Sequence, residues 1–335
     1  MLKYILVAIL MVCLVAFRPG LKKNLLKNDA SVSELLEAFG ADHDDKKANK
    51  KVGNVSARIG EDLVKNGFSK RDNLKKSKRQ SKHFVCTSCH NVKREDPNLA
   101  IMDPQARLEY VSDKGLPFLQ ATTLYGAINR ETFYNGDYEK KYGALVKPAR
   151  NDIREAIQLC AVECAQGRKL KDWEMESIVA YLNDIDLTIG DLNLSADEKE
   201  QLTSALASGN MDESMVNLLE SKYAQYSPAT FVKPPEDRKE GSGLSGDPTN
   251  GKLIYDKSCL HCHYQKRYSF LHLDNMNMSV NHLKSNIATY SKHSLYQVTR
   301  WGTFSKFGKK SYMPRYTKER MSDQQLADLR AYIEL

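Results

Sequence analysis

The chain has 335 residues, 41% of them apolar, with 50 basic against 42 acidic side chains and a formal charge of +8. That length and apolar share provide for two or three domains with real cores, which excludes a wholly disordered chain. The basic balance suits acidic partner proteins or anionic substrates and surfaces. No basic module interleaved with aromatics appears, so nucleic acid is not an expected partner.

Residues 1–20 open with Met1-Leu2-Lys3, run uncharged and apolar from Tyr4 to Phe17, and turn polar at Arg18-Pro19-Gly20. The run is short for a membrane span and fits the apolar region of a secretory signal peptide. No small-residue cleavage site precedes Arg18, and Lys22, Lys23 and Lys27 follow, which leaves an uncleaved N-terminal anchor in the membrane open as the alternative. Cys13 reads as apolar filler, because Leu10-Met11-Val12 lack the small residues that lipidation prefers. Residues 21–55 are polar and charged and read as a tether with one short helix around Val32 to Phe39.

A first domain is expected over 56–190. From Ala57, the residues Ile59, Leu63 and Val64 form a helical stripe that stops at Gly67. The basic stretch Lys70 to Lys82 reads as a solvated loop. It leads to Cys86-Thr87-Ser88-Cys89-His90, and the same pattern returns about 170 residues later as Cys259-Leu260-His261-Cys262-His263. Two thiols three positions apart on a helical turn can each form a thioether with one haem vinyl group. The histidine after the second thiol then points a ring nitrogen at the iron. Zinc is the competing reading, but it needs further ligands at matching spacing. The expected cofactors are therefore two covalently bound haem c groups, on Cys86, Cys89 and His90 and on Cys259, Cys262 and His263.

Between Gly115 and Arg150 the aromatics Phe118, Tyr125, Phe133, Tyr134, Tyr138 and Tyr142 alternate with turn formers, which predicts loops and short helices covering the first haem. A helix is expected from Asp152 through Leu159, and another from Trp173 to Leu182 that buries Ile178, Val179, Tyr181 and Leu182. Residues 191–245 read as a helical connector, opened by the capping-box spacing of Ser195 and Glu198, followed by a flexible Pro- and Gly-rich boundary.

The second domain spans 246–335. Gly251 and Tyr255 share a helix face just before the second motif, and the terminal helix from Asp323 to Leu335 carries Leu326, Leu329, Tyr332 and Ile333 at helical spacing. Gly251 would let the two helices cross closely, with Tyr255 and Tyr332 packed at the crossing. This arrangement resembles class I cytochrome c domains. The first domain departs from it: Lys78 and Lys82 stand where the glycine and the aromatic belong, and the lead-in helix is displaced upstream to Gly60 and Leu63. The fold class expected is all-α, two cytochrome c-type haem domains joined by a helical and flexible linker.

Each iron needs a second ligand. For the second haem Met313-Pro314 is the natural choice, since proline fixes the loop that presents the thioether and methionine ligation raises the reduction potential. Core packing is the plain alternative for Met313. Met276 and Met278 are substitutes, and Lys309 and Lys310 are neighbouring competitors. The first haem has no Met-Pro, only Met102 and Met175. The two cysteines left over, Cys160 and Cys164, could form a disulfide, remain buried structural thiols, or ligate iron.

The string Ile157, Cys160, Cys164, Gly167, Leu170, Glu174-Met175 and Ala180-Tyr181-Leu182 resembles the dihaem thiosulfate dehydrogenases, which join two thiosulfates into tetrathionate. The resemblance covers about 25 residues, with a wider agreement in the two-domain order. It implies that a Cys160 thiolate ligates the first iron, at a catalytic position. Cys164 replaces the family's serine, Gln166 its asparagine and Ala156 its arginine, with Arg150 and Arg154 only as neighbours. The expected activity is single-electron transfer to and from a redox partner protein. The alternative is an enzyme acting on thiosulfate or tetrathionate at the first haem. Haem c attachment implies an exported, periplasmic protein, soluble or held by its N-terminal segment.

Overall fold

The computed structural model describes residues 23–70, 76–209, 211–289, 293–303 and 313–335. The leader with Cys13, part of the basic stretch and the pair Lys309 and Lys310 lie outside the described residues. Within them the fold is all-α; two isolated bridges, Ser31–Thr188 and Lys70–Lys76, are the extended pairings.

Helix starts follow side-chain caps. Helix α1 (Val32–Ala38) begins at Ser31, whose hydroxyl accepts from Glu34 N–H, and α2 (Ala57–Asn66) begins at Ser56 in the same way and ends at Gly67 in the left-handed region. Helix α3 (Pro104–Asp113) is capped by Asp103. Two short helices, α4 (Tyr138–Tyr142) and α5 (Val146–Asn151), make up the aromatic cover. Asp152 caps α6 (Ile153–Leu159), which continues into a π turn over Cys160–Cys164. Helix α7 (Asp172–Asp184) follows, then α8 (Ala196–Ser208) with the Ser195–Glu198 capping box, and α9 (Glu213–Glu220). Beyond the connector come α10 (Pro248–Ile254), a π turn over Tyr255–Cys259, and α11 (Leu260–His263). The chain ends with α12 (Asn277–Asn286), α13 (Leu295–Trp301) and α14 (Asp323–Glu334).

The chain divides into two compact units, residues 1–43 with 187–223, and residues 44–186 with 224–335. In the first unit α1 buries Val32, Leu35 and Leu36, and the Val32 N–H donates to the Leu187 carbonyl at 2.9 Å. Leu202, Leu206 and Leu219 of α8 and α9 are buried in the same unit, where Asp212 N–H donates to the Phe39 carbonyl. The part of the tether around α1 and most of the connector are therefore one folded body. Each supplies an apolar face too small to be covered alone.

Both motif-bearing regions lie in the second unit, and each is framed by a close helix crossing. In the C-terminal region Gly251 of α10 meets α14 so tightly that a Cβ there would overlap the Asp328 carbonyl and come within 2.9 Å of Tyr332 Cβ. The Tyr255 and Tyr332 rings pack at 5.4 Å, as expected. In the other region Gly60 of α2 meets α7 in the same way, with the Ser177 carbonyl in the role of Asp328 and Tyr181 Cβ at 2.8 Å. Four residues after each glycine comes the next position on the same helix face, Tyr255 in one case and Val64 in the other, both fully buried. The crossing is thus repeated, and the basic loop is an insertion between α2 and the first motif.

One segment departs from the sequence division. Leu108 and Val111 of α3, with Phe118, join the core of Ile254, Tyr255, Leu326 and Leu329. Phe118 N–H donates to the Lys257 carbonyl at 3.0 Å, and its own carbonyl accepts from Ser258 at 2.8 Å and Tyr316 at 3.0 Å. The loop after α3 is thereby fixed between the two motifs.

Candidate functional site

A cavity of about 480 Å³ opens beside the first motif. Cys86, Cys89 and His90 line it from one segment, and the apolar side chains Phe84, Val85, Ile153, Ile157, Ile178 and Leu182 line it from α6, α7 and the approach to the motif. The His90 ring meets the Thr122 carbonyl at 2.6 Å through Nδ1. A carbonyl only accepts, so the proton is on Nδ1 and Nε2 keeps its lone pair, the state a metal ligand needs. Burial favours that neutral ring by pushing its pKa down.

The second motif repeats this local chemistry. His263 Nδ1 lies 3.1 Å from the Leu271 carbonyl. Burial pushes the Cys259 thiol up to about 12, Cys262 up to about 11 and Cys86 up to about 11, and it raises Cys89 as well. One loop bonds both motifs, Phe118 to Lys257 and Ser258 beside Cys259 and Ala121 N–H to the Cys89 carbonyl at 3.2 Å, and burial pulls the His261 ring down to about 4.

Cys160 and Cys164 both line the cavity on the π turn, as free thiols. Tyr142 O–H reaches Cys164 Sγ at 3.2 Å and Tyr134 O–H reaches it at 3.8 Å. The neighbouring Cys160 thiol leads in pulling Cys164 down to about 6 against its burial, with Lys141 and the two tyrosines assisting. The same pairing, with burial, drives Cys160 up.

Met313 and Pro314 line this cavity too, with Trp301 and Arg315. The structure therefore brings Met313 to the wall of the first site, whereas Cys259, Cys262 and His263 are not part of that wall. Met102 and Met175 do not line it, and Met276 and Met278 are 69% and 85% exposed.

Sequence reading missed the charged lining. Arg130, Lys141 and Arg315 face the cavity, with Glu163 as the acid among them. Burial pulls Arg130 down to about 10, still charged at neutral pH, and it donates to the Thr123 carbonyl at 3.0 Å. Arg154 is committed to Glu176 at 2.7 Å and Arg150 faces Glu139 at 3.5 Å, so neither neighbour of Ala156 reaches the site. Nothing in the local pattern marks Arg130 or Arg315, which are contributed by loops far apart in sequence.

A porphyrin fits what is present. The walls are mostly apolar, two thiols and a free imidazole nitrogen converge, and the volume lies in the range of small-molecule sites. Gln80 Nε2, Gln120 Nε2 and Trp301 Nε1 belong to lining residues and have no partner among the described residues, so they can serve carboxylate oxygens.

A family model described as "Cytochrome C oxidase, cbb3-type, subunit III" matches residues 246–333. The C-terminal domain is that of a c-type cytochrome. Such a domain indicates covalent haem c and electron-transfer chemistry. No curated protein and no solved structure matches the chain.

Proposed function

We propose that the chain is an exported dihaem c-type cytochrome that passes single electrons between a partner protein and a second donor or acceptor. Cys86, Cys89 and His90 hold the first haem, with Cys160 as its sixth ligand, and Cys259, Cys262 and His263 hold the second, for which the sequence offers Met313 although that residue lines the first cavity. When bound, each haem iron supplies reversible one-electron chemistry, tuned by its axial ligands. The observation that carries this reading is the loop after α3, which bonds both motifs: Phe118 N–H donates to the Lys257 carbonyl and the Phe118 carbonyl accepts from Ser258, beside Cys259, while Ala121 N–H donates to the Cys89 carbonyl at 3.2 Å. It brings two attachment sites together inside one folded unit, so an electron need not cross solvent. The repeated glycine crossing supports two haem domains of one kind, and the apolar run Tyr4 to Phe17 supports export.

Cys160 is preferred over Cys164 because the family resemblance places the ligand there and because two tyrosine hydroxyls engage Cys164. Protein made in a host competent in cytochrome maturation should carry two haems by pyridine haemochrome. The pair Cys86→Ser and Cys89→Ser should leave one. Two haems in that variant, or one in the unaltered chain, would defeat the two-haem reading.

Met313→Ala should alter the haem on Cys259 and Cys262 and lower its potential by a fraction of the roughly 0.8 V that axial ligands span. Redox titration with absorbance readout checks this. If the haem on Cys86 and Cys89 changes instead, Met313 belongs to the cavity it lines.

One observation favours a second reading, in which small sulfur anions react at the first haem: Arg130, Lys141 and Arg315 line a cavity that also holds Cys160. Thiosulfate with ferricyanide, and tetrathionate with the reduced protein, test it. Absence of turnover in both directions removes it.

A further inference from the structure

The first motif's histidine is anchored more strongly than the second's, and the cause lies one peptide group away. The Thr122 carbonyl that accepts from His90 Nδ1 and the Thr123 N–H belong to the same amide. That N–H donates to Glu95 Oε1 at 2.9 Å. The chain of bonds runs from the imidazole N–H to the Thr122 carbonyl, through the amide, and from the Thr123 N–H to a carboxylate. Glu95 is fully buried and otherwise satisfied: Asn91 Nδ2 donates to Oε2 at 2.9 Å, Arg320 reaches Oε1 at 2.8 Å, and Arg107 approaches Oε2 at 3.8 Å. Burial raises its carboxyl, but Arg320, Arg107, Asn91 and Thr123 together outweigh burial and hold it below the usual carboxylate range.

A carboxylate at the far end of an amide polarises it, so the carbonyl becomes a better acceptor and each bond strengthens the next, by roughly 10–30% per bond. The distances agree. His90 to Thr122 is 2.6 Å, shorter than an ordinary N–H···O bond, while His263 to Leu271 is 3.1 Å. A ligand histidine whose outer nitrogen is held by a strong acceptor is more basic and donates more charge to its metal.

We propose that Glu95 is a positioning residue that acts through the Thr122–Thr123 amide on His90, holding the first haem at a lower potential than His90 alone would give. The proposal rests on the first-haem reading above. Arg320 precedes α14 of the cytochrome c domain and also donates to the Leu119 and Ala121 carbonyls, so the relay is secured by the neighbouring domain.

The test uses the dihaem holoprotein, with haem content measured first. Glu95→Gln keeps an oxygen that can accept from Thr123 but removes its charge. The double variant Glu95→Gln with Arg320→Gln removes one charge of each sign, so net charge is unchanged and Arg320 is not left buried without its carboxylate. In both, the haem on Cys86 and Cys89 should shift about tenfold in its reduced-to-oxidised ratio at a fixed potential, about 59 mV for a one-electron couple, toward reduction. The His90 Nδ1–H resonance of the reduced protein should move upfield, while that of His263 stays. An unshifted potential in the double variant would overturn the proposal, and so would a shifted potential with an unmoved His90 resonance, which is what charge alone would produce. A starting protein with one haem would instead remove the reading beneath it.

Discussion

Cys160→Ala should abolish the thiolate signature of the first haem in EPR and near-infrared magnetic circular dichroism, and raise its potential, while Cys164→Ala should preserve that signature. The asymmetry follows from the partners of each sulfur. Cys164 Sγ is within reach of two phenol hydroxyls, Tyr142 at 3.2 Å and Tyr134 at 3.8 Å, which tie it to the aromatic cluster. Those tyrosines are themselves locked: Tyr134 packs edge-on against Tyr138 at 5.2 Å and Tyr142 at 6.1 Å, and Tyr138 packs against Phe231. Moving Cys164 toward an iron would therefore disturb an aromatic cluster, whereas no tyrosine hydroxyl is bonded to Cys160 among the described residues. A thiolate pushes electron density onto iron and depresses its potential, so its loss raises the potential by a fraction of the roughly 0.8 V that axial ligands span. The opposite pattern, with the signature surviving Cys160→Ala and lost in Cys164→Ala, would move the ligand to Cys164. Survival in both would return the pair to structural thiols.

Much of the frame was legible in the sequence because it is written locally. Caps at Ser31, Ser56, Asp152 and Ser195 mark helix starts within three residues of the groups they satisfy. The apolar stripe of α7 and the Gly251–Tyr332 crossing follow from helical periodicity. The part of the tether around α1 and the connector gave no such sign that they fold together, because α1 shows its apolar face only when α8 and α9 are present to cover it. Likewise α3 gives its buried face to the C-terminal core, a choice of partner that periodicity does not encode. At the site, the motif residues announced themselves by spacing. The cations Arg130 and Arg315 come from separate loops and Lys141 from α4, and Glu95 stands in Arg94-Glu95-Asp96, a string that reads as solvated surface. Its complete burial depends on Arg107 and Arg320, which are distant in sequence.

The repeated crossing gives the largest expected stability effects. Gly60→Ala and Gly251→Ala should each destabilise the protein by about 3 kcal/mol, the upper end for overpacking, and lower Tm by roughly 6–12 °C. Two effects compete at these positions. Alanine is the better helix former by about 1 kcal/mol, which favours the substitution. Against it, the new methyl group would overlap a backbone carbonyl, Ser177 at one crossing and Asp328 at the other, and backbone cannot rotate aside as a flexible side chain can. The helices must separate, which loosens Ile178, Leu182 and Val64 in one region and Leu329, Tyr255 and Ile333 in the other. Gly53→Ala is the control, because a Cβ there meets nothing within 4 Å. It should leave Tm within about 4 °C of the unaltered protein, since unobstructed Gly→Ala changes amount to less than about 1 kcal/mol. Thermal unfolding followed by circular dichroism measures all three. A neutral or stabilising result at Gly60 with a large loss at Gly251 would mean that α2 and α7 can slide apart freely, and the correspondence between the two crossings would fail.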